Sequence, residues 1–425
     1  MRKVYKGLFV FLLAAVFIIQ GYVNDRGKDD ALQMPAMPKI KGGLYEYFPW
    51  WPQTDFGIRF FRETAKANPD KNMLVSPYSI FSLLGILYNG AGGTTKDGMA
   101  AVMGLVSKTT GTVDTANLNK ENVNVSDAIQ NTGTAAGTSV YIANSLWINK
   151  DFNIKSGFLD ANKKYYKAEI NNMDFSDAGA QGKINQWVSQ KTQGKISDII
   201  GPLTQDTKLV AVDAIYFKGK WQNEFDKKFT KAKLFYPEGK LPGLKKMMND
   251  ERDTNYLETD SFQAVELDYK NSNLCMIVFL PAKKVKMADF CASMSAQDWC
   301  DWMKWFDERD VDLTLPKFKI EFETPVIDSL TNMGMGAAFD KQADFSGISS
   351  GNLFISRAVQ KTYMVVDEEG TEAAAASEAE MMVGAEYKVP PPHVKMTVNR
   401  PFFIAIVDNN TKAILFAGVV MDPQQ

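Results

Sequence analysis

The sequence predicts one α+β domain over residues 51–425, and three observations carry that prediction. Hydrophobic residues make up 45% of the chain and charged residues 23%, the balance of a protein that buries a core, which sets aside both disorder and a membrane bundle. Helical and strand patterns follow one another in irregular order, as in an α+β domain. No internal repeat is visible, so an array of small units is set aside as well.

The elements follow in chain order. Arg2, Lys3 and Lys6 precede an apolar run over residues 8–19, which Gln20 and Gly21 close. A basic start, a short apolar stretch and a small residue describe an export signal over residues 1–21, whereas a membrane span needs roughly 20 apolar residues. A buried N-terminal helix is the competing reading. The Ile18-Ile19-Gln20-Gly21 run resembles the approach to a bacterial lipoprotein cleavage site, but Tyr22 stands where that site needs a cysteine, so lipid attachment is not supported. Export would place the protein in the periplasm, at the cell surface or outside the cell. Residues 22–50 are polar, with Pro35, Pro38 and Gly42-Gly43, and form a tether with an aromatic end, YEYFPWW over 45–51, that packs on the body or on a partner.

Residues 107–138 are rich in Thr, Asn and Gly without apolar periodicity and are expected to form a long surface loop. Ile184, Trp187, Val188 and Lys191 fit one face of a helix that stops at Gly194. Residues 209–217 (LVAVDAIYF) form a nearly continuous apolar, buried strand, and further strands are expected over 313–318, 402–407 and 413–420. The three cysteines, Cys275, Cys291 and Cys300, match no zinc spacing and are odd in number; they are expected to be buried small hydrophobes, with a single disulfide left open.

Charge excludes one class of partner. The chain has 48 Lys and Arg against 50 Asp and Glu; loss of residues 1–21 would remove three basic residues, leaving 45 against 50. No basic run of the length that grips a polyanion occurs, so no nucleic acid partner is expected. Enzyme chemistry fares no better. The one histidine, His393, follows Pro390-Pro391-Pro392, and no GxSxG or cysteine signature accompanies it, so it is read as a bystander in a loop. Phosphate-binding glycine loops are missing and one histidine cannot build the usual zinc sites. No catalytic residue, metal or cofactor is assigned.

The informative segment is 367–392, DEEGTEAAAASEAEMMVGAEYKVPPP. Thr371, Ala373, Ala375, Ser377, Ala379, Met381 and Val383 share one parity and are small or apolar; Glu372, Ala374, Ala376, Glu378, Glu380 and Met382 share the other, with every charge. That is the period of a strand buried on one face. Small inward side chains suit a strand that slides between two others, Gly370 supplies a backbone pivot, and the three prolines close the far end because they cannot join a ladder.

Here the chain resembles the serpin family over nearly all of residues 51–425. Glu368-Glu369-Gly370-Thr371-Glu372-Ala373-Ala374-Ala375-Ala376 is similar to the hinge of inhibitory members. Asn72-Met73-Leu74-Val75-Ser76-Pro77-Tyr78-Ser79 resembles the shutter segment beneath the opening sheet, and Phe217-Lys218-Gly219-Lys220-Trp221 the breach where the loop first enters. Leu315-Pro316-Lys317-Phe318, Ala343-Asp344-Phe345-Ser346-Gly347-Ile348 and Pro401-Phe402-Phe403 complete the order. The resemblance implies three β-sheets, eight to nine helices and an exposed reactive loop over about 368–392. It also implies a metastable, monomeric inhibitor that acylates a serine or cysteine protease and traps it by inserting the cut loop as a new central strand. Members often face an Asn and a His across the shutter; Asp213 and Gln360 stand there, and a Gln amide can donate to a carboxylate. The region resembling the heparin-binding helix of animal members lacks a basic cluster, so no glycosaminoglycan cofactor is expected. A non-inhibitory member that binds or chaperones other molecules is the alternative. Large, charged or proline residues at Thr371, Ala373 and Ala375 would mark it, and none is present.

Two counts for the scissile bond disagree. Counting the usual 17 residues from Glu368 gives Gly384-Ala385; counting back from Pro391-Pro392 gives Lys388-Val389. Trapping depends on strand length from hinge to acyl bond, which favours the window from Met382 and Val383 to Ala385. Small apolar residues there suit elastase-like, subtilisin-like or papain-like enzymes, whereas a trypsin-like enzyme cutting after Lys388 should mostly release cleaved inhibitor.

Overall fold

A computed structural model describes residues 51–106, 115–131, 138–371 and 392–424. The expected signal segment, the tether, hinge residues Ala373 to Ala376, and the scissile candidates Met382, Val383, Gly384, Ala385, Lys388 and Val389 lie outside those residues.

Nine α-helices occur among the described residues: α1 (Trp51–Ala67), α2 (Pro77–Tyr88), α3 (Gly93–Val102), α4 (Thr115–Asn131), α5 (Ser156–Tyr166), α6 (Ala180–Lys191), α7 (Met287–Ser293), α8 (Ala296–Trp305) and α9 (Val326–Leu330). The strands are β1 (Met73–Val75), β2 (Ser139–Asn149), β3 (Glu169–Met173), β4 (Leu209–Lys220), β5 (Lys231–Phe235), β6 (Gly243–Glu258), β7 (Phe262–Asp268), β8 (Leu274–Pro281), β9 (Asp307–Pro316), β10 (Phe318–Pro325), β11 (Ile355–Val366), β12 (Gly370–Thr371), β13 (His393–Thr397), β14 (Phe402–Asp408) and β15 (Ile414–Val420).

One sheet has six strands in the order β10-β11-β12-β4-β2-β3, with β11 also paired directly to β4; the other has nine, following β1-β15-β14-β8-β7-β6-β9-β13 with β5 on β6. The resemblance implied three sheets. Here β6 pairs with β7 through Tyr256 to Glu258 and with β9 through Met247 to Tyr256, so the second and third sheets form one hydrogen-bonded path.

Burial explains where these elements sit. Helix α2 is buried at every position; a helix that is apolar all round belongs inside a core. Ser76 caps it by accepting from Ser79 N at 3.3 Å, and Pro77 starts it where no N–H is needed. Strands β8, β14 and β15 are likewise buried throughout, and rings knit them to the helices, as where Phe61 of α1 meets Phe403 of β14 at 5.0 Å. Each such ring contributes on the order of 2 kcal/mol by leaving water. Strand β10 has one wet face instead: Phe318, Ile320 and Phe322 point in while Lys319, Glu321 and Glu323 point out.

Helix α6 carries the predicted face, with Ile184 and Val188 fully buried, and Gly194 turns out of it at φ +77°. Two expectations are corrected. Residues 107–138 are not one long loop, because α4 lies within them. Its inward face is partly polar: Asn119 and Asn122 are buried beside Leu118, Val125 and Ile129, and they bond Asn89, Tyr166 and the Tyr165 carbonyl. Hydrogen-bonded asparagines replace the apolar residues that would have revealed a helix. His393 lies in β13 rather than in a loop, aligned with Asp310 of β9. All three cysteines are free thiols; Cys275 and Cys291 are buried and Cys300 half-buried.

Candidate reactive-loop hinge and sheet opening

The site is a strand position in the six-stranded sheet that is filled at one end only. Strands β4 and β11 pair in parallel from Leu209 and Ile355 up to Tyr216 and Tyr363. Beyond that point they separate, and β12 lies between them, with Gly370 opposite Lys220 and Thr371 opposite Gly219 and Val366. Two residues of an antiparallel strand are thus already seated.

The seat selects its occupants by size. At Gly370, with φ +154°, a Cβ would come within 2.1 Å of the Gly219 carbonyl oxygen and 2.7 Å of Lys220 Cα, so only glycine fits. Thr371 is fully buried and shares a 2.6 Å hydrogen bond with the Tyr269 hydroxyl. Trp221 closes the wall: it stacks on Tyr269 at 4.7 Å, its Nε1 donates to the Asp367 carbonyl at 2.9 Å, and its backbone N–H donates to the Glu369 carbonyl at 3.0 Å.

Charge anchors the approach. Lys317 Nζ lies 2.6 Å from Glu368 Oε2, and the Glu368 side chain is only 5% exposed; Thr230 Oγ1 donates to its other oxygen at 2.8 Å. Burial alone would raise the Glu368 carboxyl, but the Lys317 and Thr230 hydrogen bonds outweigh it and hold the carboxyl below its ordinary value. Lys227 pairs with Glu369. Asp367 goes the other way, raised mainly by burial. Lys317, Thr230, Lys227 and Tyr269 were not singled out from the sequence. Lys317 sits inside a quoted motif, but its partner is 51 residues away and no spacing announces it.

Below the seat, side chains tie β4 to β11. Gln360 and Asp213 are register partners, and Gln360 Nε2 donates to Asp213 Oδ1 at 2.6 Å and to the Ser76 carbonyl at 3.0 Å. Gln360 Oε1 accepts from Ser76 N at 2.9 Å, and the Ser79 hydroxyl donates to Asp213 Oδ2. Burial pushes the Asp213 carboxyl up to about 7, against the pull of the Ser79 and Gln360 hydrogen bonds. Ser76, Pro77, Ser79, Asp213 and Gln360 therefore come together under the sheet. Asn72 does not join them: it binds the Met421 and Asp422 backbone. Above this cluster, Tyr141, Tyr216 and Tyr363 line up across β2, β4 and β11, with ring centroids 5.3 Å and 6.3 Å apart.

The family model described as Serpin (serine protease inhibitor) matches residues 52–423. The chain belongs to the serpin family. A serpin-like protein of Methanosarcina mazei is 36% identical over 359 residues, 83% of this chain and 82% of the relative. Among solved structures, the native thermophilic serpin tengpin superposes with a TM-score of 0.80 at 26% identity, covering 94% of this chain and 98% of the other. Thyroxine-binding globulin in complex with thyroxine gives 0.76 at 28% identity, covering 88% and 99%. Serpins are generally protease inhibitors rather than catalysts, but that complex holds a small molecule, so this serpin's fold alone does not assign its activity.

Proposed function

We propose that this serpin is an exported suicide-substrate inhibitor of serine, and also cysteine, endopeptidases. The observation that carries the reading is the half-filled strand position, whose first two residues are Gly370 and Thr371 and whose continuation in the sequence keeps small residues on the inward parity. A protease that attacks the carbonyl near Gly384-Ala385 is itself acylated by the upstream part of the loop, while the scissile C–N bond breaks and the downstream peptide leaves as its amine. The freed segment then extends β12 between β4 and β11 and carries the acylated enzyme along. Strand advances about 3.3 Å per residue, so roughly 17 residues carry it more than 50 Å. Displacement of the catalytic residues or the oxyanion hole stops deacylation, because losing either lowers turnover by orders of magnitude.

Mixing the protein with elastase-like, subtilisin-like, papain-like and trypsin-like enzymes tests the reading. Expected is a complex that survives boiling in detergent with at least one of the first three, and a released C-terminal peptide that begins at Gly384, Ala385 or Glu386 by mass. A peptide beginning at Val389 would move the scissile bond to Lys388. The absence of a stable complex with every class would favour the non-inhibitory alternative, to which the thyroxine-binding globulin likeness lends support.

A further inference from the structure

The histidine left without a role lies in a cluster of metal-ligating side chains. Glu251 of β6, Asp310 of β9 and His393 of β13 place one ligand atom each within 4.8 Å of one another. His393 Nδ1 is 2.9 Å from Asp310 Oδ2, and its ring is 56% exposed, open to an ion from solution. The sheet register adds charge on the same face: Asp253 lies opposite Asp310, and Glu251 opposite Asp312. Four carboxylates thus crowd two adjacent strands, β6 and β9, where like charges opposite one another destabilise the pairing. Lys395, at 2.5 Å from Asp312, answers one of them.

We propose that Glu251, Asp310 and His393 form a binding site for a divalent transition-metal ion, of which zinc is the probe of choice. One imidazole nitrogen with two carboxylate oxygens and an open position for water is a donor set zinc accepts, whereas magnesium and calcium prefer oxygen ligands alone. Zinc bonds of about 2.0–2.1 Å put neighbouring ligand atoms about 3.4 Å apart. The 2.9 Å His393–Asp310 contact therefore has to widen by about 0.5 Å and the longest separations close by up to about 1.4 Å, shifts that the exposed Glu251 side chain can take up. The ion replaces the His393–Asp310 hydrogen bond and cancels part of the carboxylate excess. It also clips the start of β13 to β9 and β6 and so fixes the downstream end of the connection between β12 and β13. The site stands whether or not the protein inhibits proteases. Asp310 raises the His393 pKa, helped by Glu251 and Asp312, so protons compete with the metal and the test belongs at pH 8.

Because the sequence holds one histidine, the untagged protein gives a single pair of imidazole C–H signals. Zinc chloride should shift or broaden them, saturating at one equivalent, and magnesium chloride should not. Calorimetry should show zinc binding weakened at least tenfold in Glu251→Gln and in Asp310→Asn, and unchanged in Cys300→Ser. Imidazole signals that ignore zinc would overturn the proposal, as would unchanged affinity in both carboxylate variants or a loss confined to Cys300→Ser. The wild-type spectrum decides the matter even if a variant folds poorly.

Discussion

Replacing Asp213 by Asn should stabilise the protein above neutral pH and leave it nearly unchanged in acid. The folded carboxyl titrates at about 7, pushed up by burial from its ordinary 3.8. Between those values the folded protein keeps a proton that the unfolded chain has released. Stability therefore falls as pH rises through that window and levels off above about 7. Roughly three pH units at about 1.4 kcal/mol each give about 4 kcal/mol as the upper bound on what the buried charge takes away by pH 8. Asn has no proton to lose, its Oδ1 can accept from Gln360, and its Nδ2 can donate to Ser79 Oγ. Comparing variant with wild type cancels the other carboxylates. Apparent melting temperatures at one scan rate, from pH 4.5 to 8.5, should show a gap that opens to roughly 5 °C. An equal gap at pH 5 and pH 8, or a variant less stable than wild type at pH 8, would refute the reasoning.

Three other perturbations act at the seat of β12. Lys317→Met leaves the Glu368 carboxylate buried without its cation and should destabilise by about 3 kcal/mol; because the Glu368 pKa in the folded wild type is depressed, urea titrations should show that loss at neutral pH and little of it in acid. Thr371→Arg has no room beside Tyr269 and should unseat β12 while leaving the β4–β11 ladder intact, so protease assays should yield cleaved rather than complexed protein; complexes at wild-type stoichiometry would speak against insertion. Clean cleavage of the wild-type loop should raise the melting temperature by many degrees, because a completed central strand pairs backbone on both sides; an unchanged value would place the protein among non-inhibitory members.

The sequence made some of this legible and hid the rest for identifiable reasons. Strand β4 announces itself because it is buried on both faces and so reads as an apolar run broken only by Asp213. The seat was legible in Gly370, the residue the Gly219 carbonyl leaves room for, and in Thr371, whose hydroxyl meets that of Tyr269. The Gln360 side chain could be assigned a carboxylate partner because its amide has hydrogens to donate. The pairing of Lys317 with Glu368 stayed hidden because an ion pair between residues 51 apart in the chain leaves no periodic trace. Helix α4 stayed hidden because its buried positions include asparagines, and the contacts of Asn72 with the Met421 and Asp422 backbone were not legible because they join residues about 350 apart in the chain.

For the proposed insertion, the tyrosine row would act as a latch with a threshold. Tyr216 and Tyr363 are the uppermost direct pair of β4 and β11, and by the register of β12 a strand extended past Thr371 would reach that pair at Ala374 and would have to part it there. Lys195 lies over the Tyr363 ring at 5.8 Å, a contact from outside the β10–β11 pair worth about 0.5–1 kcal/mol at an exposed face, whereas Lys319, at 5.0 Å from the same ring, stands on β10 beside β11 and would move with it. If the loop inserts as proposed, each ladder that opens past that point would be replaced by two, one on each side of the incoming strand, and the motion would run downhill. A barrier concentrated in the opening step means that the waiting time before the loop moves and the force it delivers once moving are governed by different residues. One can be tuned by substitution without touching the other.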